Sequence, residues 1–427
     1  MKGADQMKGR PTVQFMRAIP DVDLTGLRGR FPALKRIHNG QPVAYFDGPG
    51  GTQVPQEVVD AMADYLLHHN ANTHWVYPTS EETDALIAES RQSVADLLNA
   101  APEEIAFGAN MTTLTFHLAR ALGREWKAGD EVIITELDHH GNVAPWRAIE
   151  REKGIVVRTA PMDPVTGTLE VDRIAELFTD RTKLVAVGAA SNALGTITDV
   201  ASVTQLAHRQ GIEVFVDAVH YAPHQLVDVR MIDCEYLACS AYKFYGPHIG
   251  ILYGKKDRLE RLDFPRLDPA PQDAPERAET GTQNHEGIVG AAAAVNFLAS
   301  FAPSTENRRD ALIAVYDALH SQGMMQVQKL WGGLSSIPGV ILYGPKPGSW
   351  ARTPTVSFTL RGTSTNDVAR ALAKQGLFVS NGDFYAMTVI ERIGQAADGV
   401  VRVGCSCYST MEEIDRLLDA VRELAGQ

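Results

Sequence analysis

The feature that most constrains the fold is a pair of apolar runs, each followed by a charged residue. The β-branched run Glu213–Val216 ends at Asp217, and the run Tyr236–Cys239 leads into Ser240-Ala-Tyr-Lys243. Continuous apolar runs of this length are typical of buried strands in a parallel sheet. A carboxylate at a buried strand end stays ionised only beside a cation, and burial lowers an amine pKa until the amine is nucleophilic. We therefore expect Asp217 and Lys243 to share one site in an α/β fold.

The two side chains together suggest a cofactor. A protonated pyridine nitrogen is a cation that suits Asp217, and an aldehyde is a partner for Lys243. Pyridoxal phosphate offers both, so we predict it as the cofactor, with Asp217 holding the ring nitrogen protonated. Lys243 then carries the aldehyde between turnovers and moves protons during them. Taken alone, Lys243 has a competing interpretation as an exposed lysine in a loop.

Three motifs extend this interpretation to a family. Val-Asp217-Ala-Val-His220, Ser240-Ala-Tyr-Lys243 and Phe244-Tyr-Gly246-Pro-His-Ile-Gly250 resemble the class V aminotransferase family, most closely its cysteine desulfurase-like branch. The resemblance runs from about Tyr45 to the C-terminus. It implies the α/β architecture of fold type I pyridoxal phosphate transferases, in which helices cover a large, mainly parallel sheet and a small α+β domain follows.

The same resemblance organises the chain into parts. We expect an N-terminal arm over residues 1–40, a large cofactor-binding domain over 41–305, and a helical linker with the small C-terminal domain over 306–427. The arm is expected to pack against that small domain. Apolar alternation predicts four strands in the small domain, at residues 340–343, 355–360, 377–380 and 400–403.

Composition excludes several classes of partner. The formal net charge is −12, whereas nucleic acid or an anionic membrane requires a basic face. The first ten residues lack the apolar core of a signal peptide, and no later stretch is long and uncharged enough to span a bilayer. We therefore predict a cytoplasmic protein with a small-molecule ligand. No metal site is expected, because the adjacent His139 and His140 point to opposite sides.

Two segments are predicted to hold the cofactor phosphate and ring. Gly108–Ala119 is a small-residue turn that opens a helix, and a helix N-terminus attracts phosphate. By resemblance, Met111 and Thr112 grip the phosphate there; plain helix capping by Asn110 or Thr112 is the competing interpretation. His139, after the buried run Glu131–Thr135, matches the family histidine that stacks on the ring.

The resemblance assigns the remaining cofactor contacts. Asn192 and His220 match residues that bind the phenolic oxygen, and Tyr242 is expected at the phosphate, with Ser240 in the same motif. His220 stands where cysteine desulfurases usually carry glutamine, and Tyr242 where they carry histidine. Thr282 matches a residue that reaches the partner's phosphate across a dimer interface. We therefore expect a homodimer with its active sites at the interface.

Substrate contacts are predicted mainly near the C-terminus. Arg402 matches the family arginine that grips the substrate α-carboxylate, a task that suits a planar guanidinium. Arg352 and Arg392 remain competitors. Asn72 and His74 lie in a polar loop that reaches the active site in the family, although a solvated loop is an equal alternative.

The segment Gly382–Met387 complicates the prediction of the reaction. It corresponds to a Gly-His-His-Cys-Ala loop of cysteine desulfurases, and Tyr385 occupies the position of the nucleophilic cysteine. A phenol does not replace a thiolate as a sulfur acceptor. Cys405, three residues after Arg402, is a possible substitute nucleophile, and its alternative is a buried strand residue.

Three functions follow from these observations. The first is a cysteine desulfurase-like enzyme that uses pyridoxal phosphate to cleave the C–S bond of cysteine or a related small amino acid, with Tyr385 at the substrate. The second is an aminotransferase or epimerase of the same family. The third is a non-catalytic scaffold that binds a sulfur-carrier partner.

Overall fold

The structure is a computed structural model that describes residues 22–303 and 305–426. Most of the predicted N-terminal arm, residues 1–21, lies outside these residues. The strands, numbered in chain order, are β1 Ile37–His38, β2 Gln41–Pro42, β3 Ala44–Tyr45, β4 Ile105–Gly108, β5 Glu131–Thr135, β6 Val156–Ala160, β7 Thr182–Gly188, β8 Glu213–Asp217, β9 Tyr236–Ser240, β10 Gly250–Gly254, β11 Val340–Tyr343, β12 Thr355–Leu360, β13 Leu377–Phe378, β14 Ser380–Gly382 and β15 Val400–Gly404.

Helices flank these strands and join them. They are α1 Gln56–Asp64, α2 Pro78–Leu98, α3 Met111–Gly123, α4 Ala144–Lys153, α5 Val171–Ala175, α6 Val200–His208, α7 Val229–Ile232, α8 Lys256–Arg261, α9 His285–Ala299, α10 Arg308–Ser335, α11 Thr365–Lys374, α12 Met387–Arg392 and α13 Met411–Leu424. No helix of the described chain combines the length and apolar composition that crossing a membrane requires.

The large sheet has the strand order β4-β10-β9-β8-β7-β5-β6. Neighbouring strands from β6 through to β9 are parallel, and β10 runs antiparallel to β9 and β4. Every strand of this sheet except β10 therefore points the same way, so their carboxyl ends share one edge. This arrangement confirms the predicted mainly parallel sheet.

Helices cover both faces of that sheet. Along β8, Val214 and Val216 belong to one buried apolar cluster while Phe215 belongs to another. Because successive side chains of a strand point to opposite faces, both faces are packed against helices. The near-continuous apolar sequence of β8 is a direct consequence.

The small C-terminal sheet is antiparallel, in the order β11-β12-β15-β14. The predicted strand over residues 377–380 is wrong as a single element, since Val379 separates β13 from β14. β14 joins the small sheet, whereas β13 pairs in parallel with β3. Ala44 and Phe46 consequently lie in the apolar core of the C-terminal part.

The described end of the N-terminal arm packs against both parts of the chain. The ring of Phe31 makes edge contacts with Tyr245 at 5.8 Å and Tyr408 at 5.0 Å. Arg28 pairs with Glu413 of α13. The division into domains at residues 41 and 305 stays a prediction.

Candidate active site

The carboxyl edge of the large sheet carries the predicted cofactor residues other than Thr282. The ends of β4, β5, β7, β8 and β9 surround one cavity of about 340 Å³. This cofactor cavity is lined by Asn110, Met111, Thr112, Leu137, His139, Gly188, Ala190, Asn192, Asp217, Val219, His220, Ser240, Tyr242, Lys243 and His248. The strand order thus brings together residues that are far apart in sequence.

Lys243 and Asp217 are both buried in the cavity wall, each 7% exposed. Burial, together with the positive charge of Arg402, lowers the pKa of Lys243 to about 7. Burial also raises the pKa of Asp217 to about 6. The N–H of Val219 donates to Asp217 Oδ1 at 2.9 Å and opposes this increase. The pair therefore combines an amine of lowered pKa with a carboxylate that makes no ion pair within the described part of the chain.

His139 follows β5 and is oriented by its own turn. Its Nδ1 accepts the N–H of Gly141 at 2.9 Å, so the ring proton lies on Nε2. Burial lowers the pKa of His139 to about 4, and the charge of Lys243 contributes. A neutral aromatic ring therefore stands in the cavity wall.

Asp138 is a buried residue that motif reasoning did not single out. Its Oδ2 accepts the N–H of Thr135 at 2.7 Å and its Oδ1 accepts the N–H of Gly188 at 2.6 Å. These bonds tie the turn that carries His139 to the end of β7. The signal was available in the sequence, because Asp138, like Asp217, follows a buried strand closely.

The N-terminus of α3 opens onto the same cavity. Asn110 caps the helix by accepting the N–H of Thr113 at 2.9 Å, and the N–H of Met111 donates to Ser240 Oγ at 3.0 Å. A Cβ atom at Gly250 would lie 2.5 Å from the backbone of Asn110, so the close approach of β10 requires glycine there. Capping by Asn110 and a cavity-facing helix N-terminus thus coexist. Beside them the ring of Tyr242 stacks on that of His248, with 5.0 Å between the ring centres.

A second chamber lies over the cofactor cavity and shares six lining residues with it: Asn110, Thr112, His139, Asn192, Tyr242 and Lys243. Its other lining residues are Pro49, Gly50, Thr113, His140, Gly141, Ala144, Phe384, Tyr385 and Arg402. Arg402, on β15, is 3% exposed. Its guanidinium donates to the backbone oxygen of Asn192 at 3.1 Å and lies 4.0 Å from the ring centre of Phe384.

The two competing arginines lie elsewhere. Arg352 is buried but donates to backbone carbonyls, including that of Leu194 at 3.3 Å, and stacks over Trp331 at 4.9 Å. Arg392 pairs with Glu136 at 2.9 Å on the outside of the chamber. Arg402 is therefore the arginine of these three that lines the second chamber.

His220 links the cofactor cavity to the C-terminal sheet. Its Nε2 lies 3.1 Å from both Thr353 Oγ1 and Thr355 Oγ1. Burial keeps the pKa of His220 well below its usual value, so the ring is neutral. One ring nitrogen is occupied by the threonine pair, and the other remains for a ligand.

Some buried polar atoms of the site have no partner in residues 22–303 and 305–426. They are Asn192 Oδ1, His220 Nδ1 and Arg402 Nε. Buried polar atoms are nearly always hydrogen-bonded, and a bound polar ligand supplies the missing partners. The cavity therefore fits a ligand with a cationic ring atom for Asp217, a hydrogen-bond donor for Asn192 Oδ1, an oxygen atom for His220 Nδ1, and a phosphate at α3.

Three predicted site residues lie away from this cavity. His74 and Thr282 line a separate surface groove of about 830 Å³, and both are exposed. Asn72 is exposed, and its backbone oxygen accepts from Ser80 Oγ at 2.6 Å. Within one chain they therefore do not meet Lys243.

Tyr385 stands at the mouth of the second chamber. Its side chain is 71% exposed, and its ring lies 5.7 Å from that of His139. Phe384 and Tyr385 both adopt the left-handed conformation, with φ of 57° and 56°. This uncommon backbone is held by two hydrogen bonds, from Asn192 Nδ2 to Phe384 O at 2.9 Å and from His140 N–H to Tyr385 O at 2.7 Å.

The cysteines lie outside both chambers. Cys405 is fully buried, and its N–H donates to the carbonyl of Pro354. Burial raises the pKa of Cys405 to about 12 and that of Cys407 to about 12. Neither thiol is in a setting that favours thiolate chemistry.

The comparisons with known proteins agree on one family. The sequence profile of the family Aminotransferase class-V matches residues 44–417. The chain is 34% identical to a cysteine desulfurase of Synechococcus elongatus, with 94% of this chain and 64% of that protein covered. It is 32% identical to a cysteine desulfurase of Pectobacterium atrosepticum, with 93% of this chain and 97% of that protein covered. The chain thus spans less than two thirds of the first relative and nearly all of the second.

Solved structures agree in fold. The apo cysteine desulfurase of Thermococcus onnurineus NA1 superposes with a TM-score of 0.83 at 29% identity, covering 93% of this chain and 98% of that one. A cysteine desulfurase of Escherichia coli, in an S-sulfonic acid form, gives 0.81 at 26% identity, covering 94% and 98%. These likenesses confirm the predicted fold type I architecture.

Proposed function

Because the chain belongs to the aminotransferase class-V family, whose members are pyridoxal-phosphate-dependent enzymes, we propose that it cleaves the C–S bond of cysteine or a related small amino acid and releases the sulfur to solution. One observation carries the proposal: Lys243 and Arg402 line the same chamber, and no cysteine of the described chain lines it with them. The cysteine desulfurases that resemble this chain support the choice of C–S cleavage.

The residues of the cofactor cavity fit pyridoxal phosphate. Asp217 would keep the pyridine nitrogen protonated, and His139 would lie against the ring. Asn192 and His220 would meet the phenolic oxygen, the second through its unpartnered Nδ1. The N-terminus of α3, with Met111 and Thr112, would hold the phosphate, flanked by Ser240 and Tyr242.

The chemistry divides between the cofactor and the chain. Bound pyridoxal phosphate supplies an electron sink for negative charge at the substrate Cα. Lys243 would hold the cofactor aldehyde, and its amine would move the Cα proton of a bound substrate, a role that suits its pKa of about 7. Arg402 binds the α-carboxylate through charge-assisted hydrogen bonds and so fixes Cα near Lys243.

Within the described residues, no thiol lines this site to accept the sulfur. For cysteine, the reaction then loses the Cα proton and the Cβ–S bond, takes up one water, and yields sulfide, pyruvate and ammonia. Tyr385, at the chamber mouth, is positioned to contact the departing sulfur or the rest of the side chain. A persulfide on the chain is not part of this reaction.

The first experiment identifies the cofactor link and the products. Borohydride reduction of the purified protein, followed by peptide mapping, should find the pyridoxyl group on Lys243. Cysteine given without reductant should then yield free sulfide, with all thiols unmodified by mass spectrometry. Proton exchange or amino transfer at Cα without sulfide would instead favour the epimerase or aminotransferase alternative. A colourless protein that captures no cofactor would favour the non-catalytic scaffold.

We propose further that the enzyme is a cytoplasmic homodimer with active sites at the interface. The exposed positions of Asn72, His74 and Thr282, away from the cavity of their own chain, support a role at the site of a partner. Closed two-fold pairing is also the commonest state of soluble oligomers. A monomer by light scattering that still binds pyridoxal phosphate tightly would contradict this proposal.

A further inference from the structure

Arg402 is held by a carboxylate of its own chain. Its Nη2 donates to Asp47 Oδ1 at 3.0 Å, and its Nη1 donates to the backbone oxygen of Asn192 at 3.1 Å. The Nε atom is buried and has no partner within the described residues. The side chain of Asp47 is 45% exposed, so it borders solvent while Arg402 does not.

The position of Asp47 on the guanidinium matters for ligand binding. A guanidinium meets a carboxylate with two parallel hydrogen bonds along one of two edges, Nη1/Nη2 or Nε/Nη2. Nη2 belongs to both edges, and Nη2 is the atom that Asp47 occupies. Nη2 carries two N–H groups, so an incoming carboxylate can still reach the Nε/Nη2 edge, but it then shares Nη2 with the anionic Asp47, and the two negative charges repel each other.

The backbone around Asp47 builds this contact. The Asp47 carbonyl accepts the N–H groups of Gly50 at 2.9 Å and Gly51 at 3.0 Å, which closes a tight turn. A Cβ atom at Gly50 would lie 2.4 Å from Asp47 Oδ2, so a larger residue there would displace the carboxylate from its position over the turn. Asp47 also bridges to Gly404, two residues after Arg402. The turn and β15 together hold the Asp47 carboxylate beside the Arg402 guanidinium.

We propose that Asp47 is an internal carboxylate that competes with ligands for Arg402, so that a substrate binds by exchange. The substrate carboxylate replaces Asp47 on Nη2 and takes the Nε/Nη2 edge, which gives the unpartnered Nε its hydrogen bond. This inference rests on the proposed role of Arg402 as the substrate-carboxylate residue. Displacement of Asp47 weakens the binding of every carboxylate ligand by the same factor. Asp47 therefore raises the KM and leaves the rate of the chemical step unchanged.

The test removes the competing charge. In Asp47→Asn the amide keeps an oxygen acceptor for Nη2 but no longer competes as an anion. On the enzyme loaded with pyridoxal phosphate, we expect the Kd of propionate, measured by calorimetry, to fall about tenfold. The KM for the amino-acid substrate should fall by a similar factor, and kcat should stay within about twofold of wild type.

Asp383→Asn is the matched control. Asp383 is also an exposed carboxylate near the chamber mouth, and its Oδ1 accepts the N–H of Tyr385 at 2.9 Å, a bond the amide preserves. This variant also loses one negative charge, and Asp383 makes no hydrogen bond or ion pair with Arg402 within the described chain. Its Kd for propionate should remain that of wild type, which separates competition at Arg402 from a general change of field.

The outcomes are distinguishable. An unchanged Kd for propionate in Asp47→Asn, or an equal change in Asp383→Asn, would overturn the exchange. Asp47→Ser removes the same charge with a smaller side chain and decides the matter if the amide variant does not fold. If Arg402→Lys binds propionate as tightly as wild type, the role of Arg402 in the proposed function fails, independently of Asp47.

Discussion

Asp138 accepts the backbone N–H of Gly188 at 2.6 Å, and Gly188 is paired with Asp217 on the neighbouring strand. The turn that presents His139 and the strand that presents Asp217 are therefore fixed relative to one another through a single buried carboxylate. Burial raises the pKa of Asp138 to about 7, and the charge of Asp217 adds to the increase. Above neutral pH, Asp138 is an ionised acceptor of two backbone N–H groups.

Asp138→Asn should lower the free energy of unfolding by about 1–3 kcal/mol at pH 8, because an amide accepts through one oxygen only and leaves a buried donor unpaired. Urea denaturation measures the change. Asp163→Asn is a suitable control, since Oδ1 of the exposed Asp163 accepts both the Val165 and Thr166 N–H groups and the amide retains that oxygen. Equal stability of Asp138→Asn and wild type would contradict the tie between β5 and β7.

Arg402→Lys should raise the KM for an amino-acid substrate roughly 10- to 100-fold, because lysine cannot make two parallel bonds to a carboxylate. Steady-state kinetics measures the change in KM. Arg392→Lys provides the comparison, since Arg392 pairs with Glu136 outside the chamber and its KM should be that of wild type. A larger effect at Arg392 than at Arg402 would reassign the carboxylate site.

The capture of pyridoxal phosphate by the apo protein should accelerate with rising pH around a midpoint of about 7. The neutral amine is the nucleophile, and burial lowers the pKa of Lys243 to about 7, so the reactive form predominates above that pH. Stopped-flow absorbance from pH 5.5 to 9 measures the rate. A midpoint near that of an ordinary lysine would show that Lys243 is solvated when it reacts.

Tyr385→Cys should restore a sulfur acceptor at the chamber mouth. After treatment with cysteine, mass spectrometry should find an extra sulfur on the introduced thiol, while Cys405 and Cys407 stay unmodified because burial raises the pKa of each to about 12. Wild type treated in parallel should carry none. An extra sulfur on Cys405 in wild type would mean that the C-terminal segment opens during the reaction.

The sequence predicted best the site residues that lie at the ends of strands. Asp217 and Lys243 follow apolar runs, and parallel strands bring such ends to one edge, so their meeting in one cavity required no knowledge of packing. The pairing of Asp47 with Arg402 depends on a turn and a strand more than three hundred residues apart, and no local pattern encodes it. For the same reason the sequence did not separate Arg402 from Arg352, whose hydrogen-bond partners within the described chain are all backbone carbonyls.

The pairing of β3 with β13 has a consequence for synthesis of the chain. Ala44 and Tyr45 leave the ribosome early, yet their hydrogen-bonding partners, Leu377 and Phe378, are made near the end of translation. Until then the backbone of β3 lacks these partners, so the nascent chain exposes an unpaired strand that invites wrong contacts. A chain released before Phe378 would keep that strand unpaired, even though every residue of the large sheet had been made.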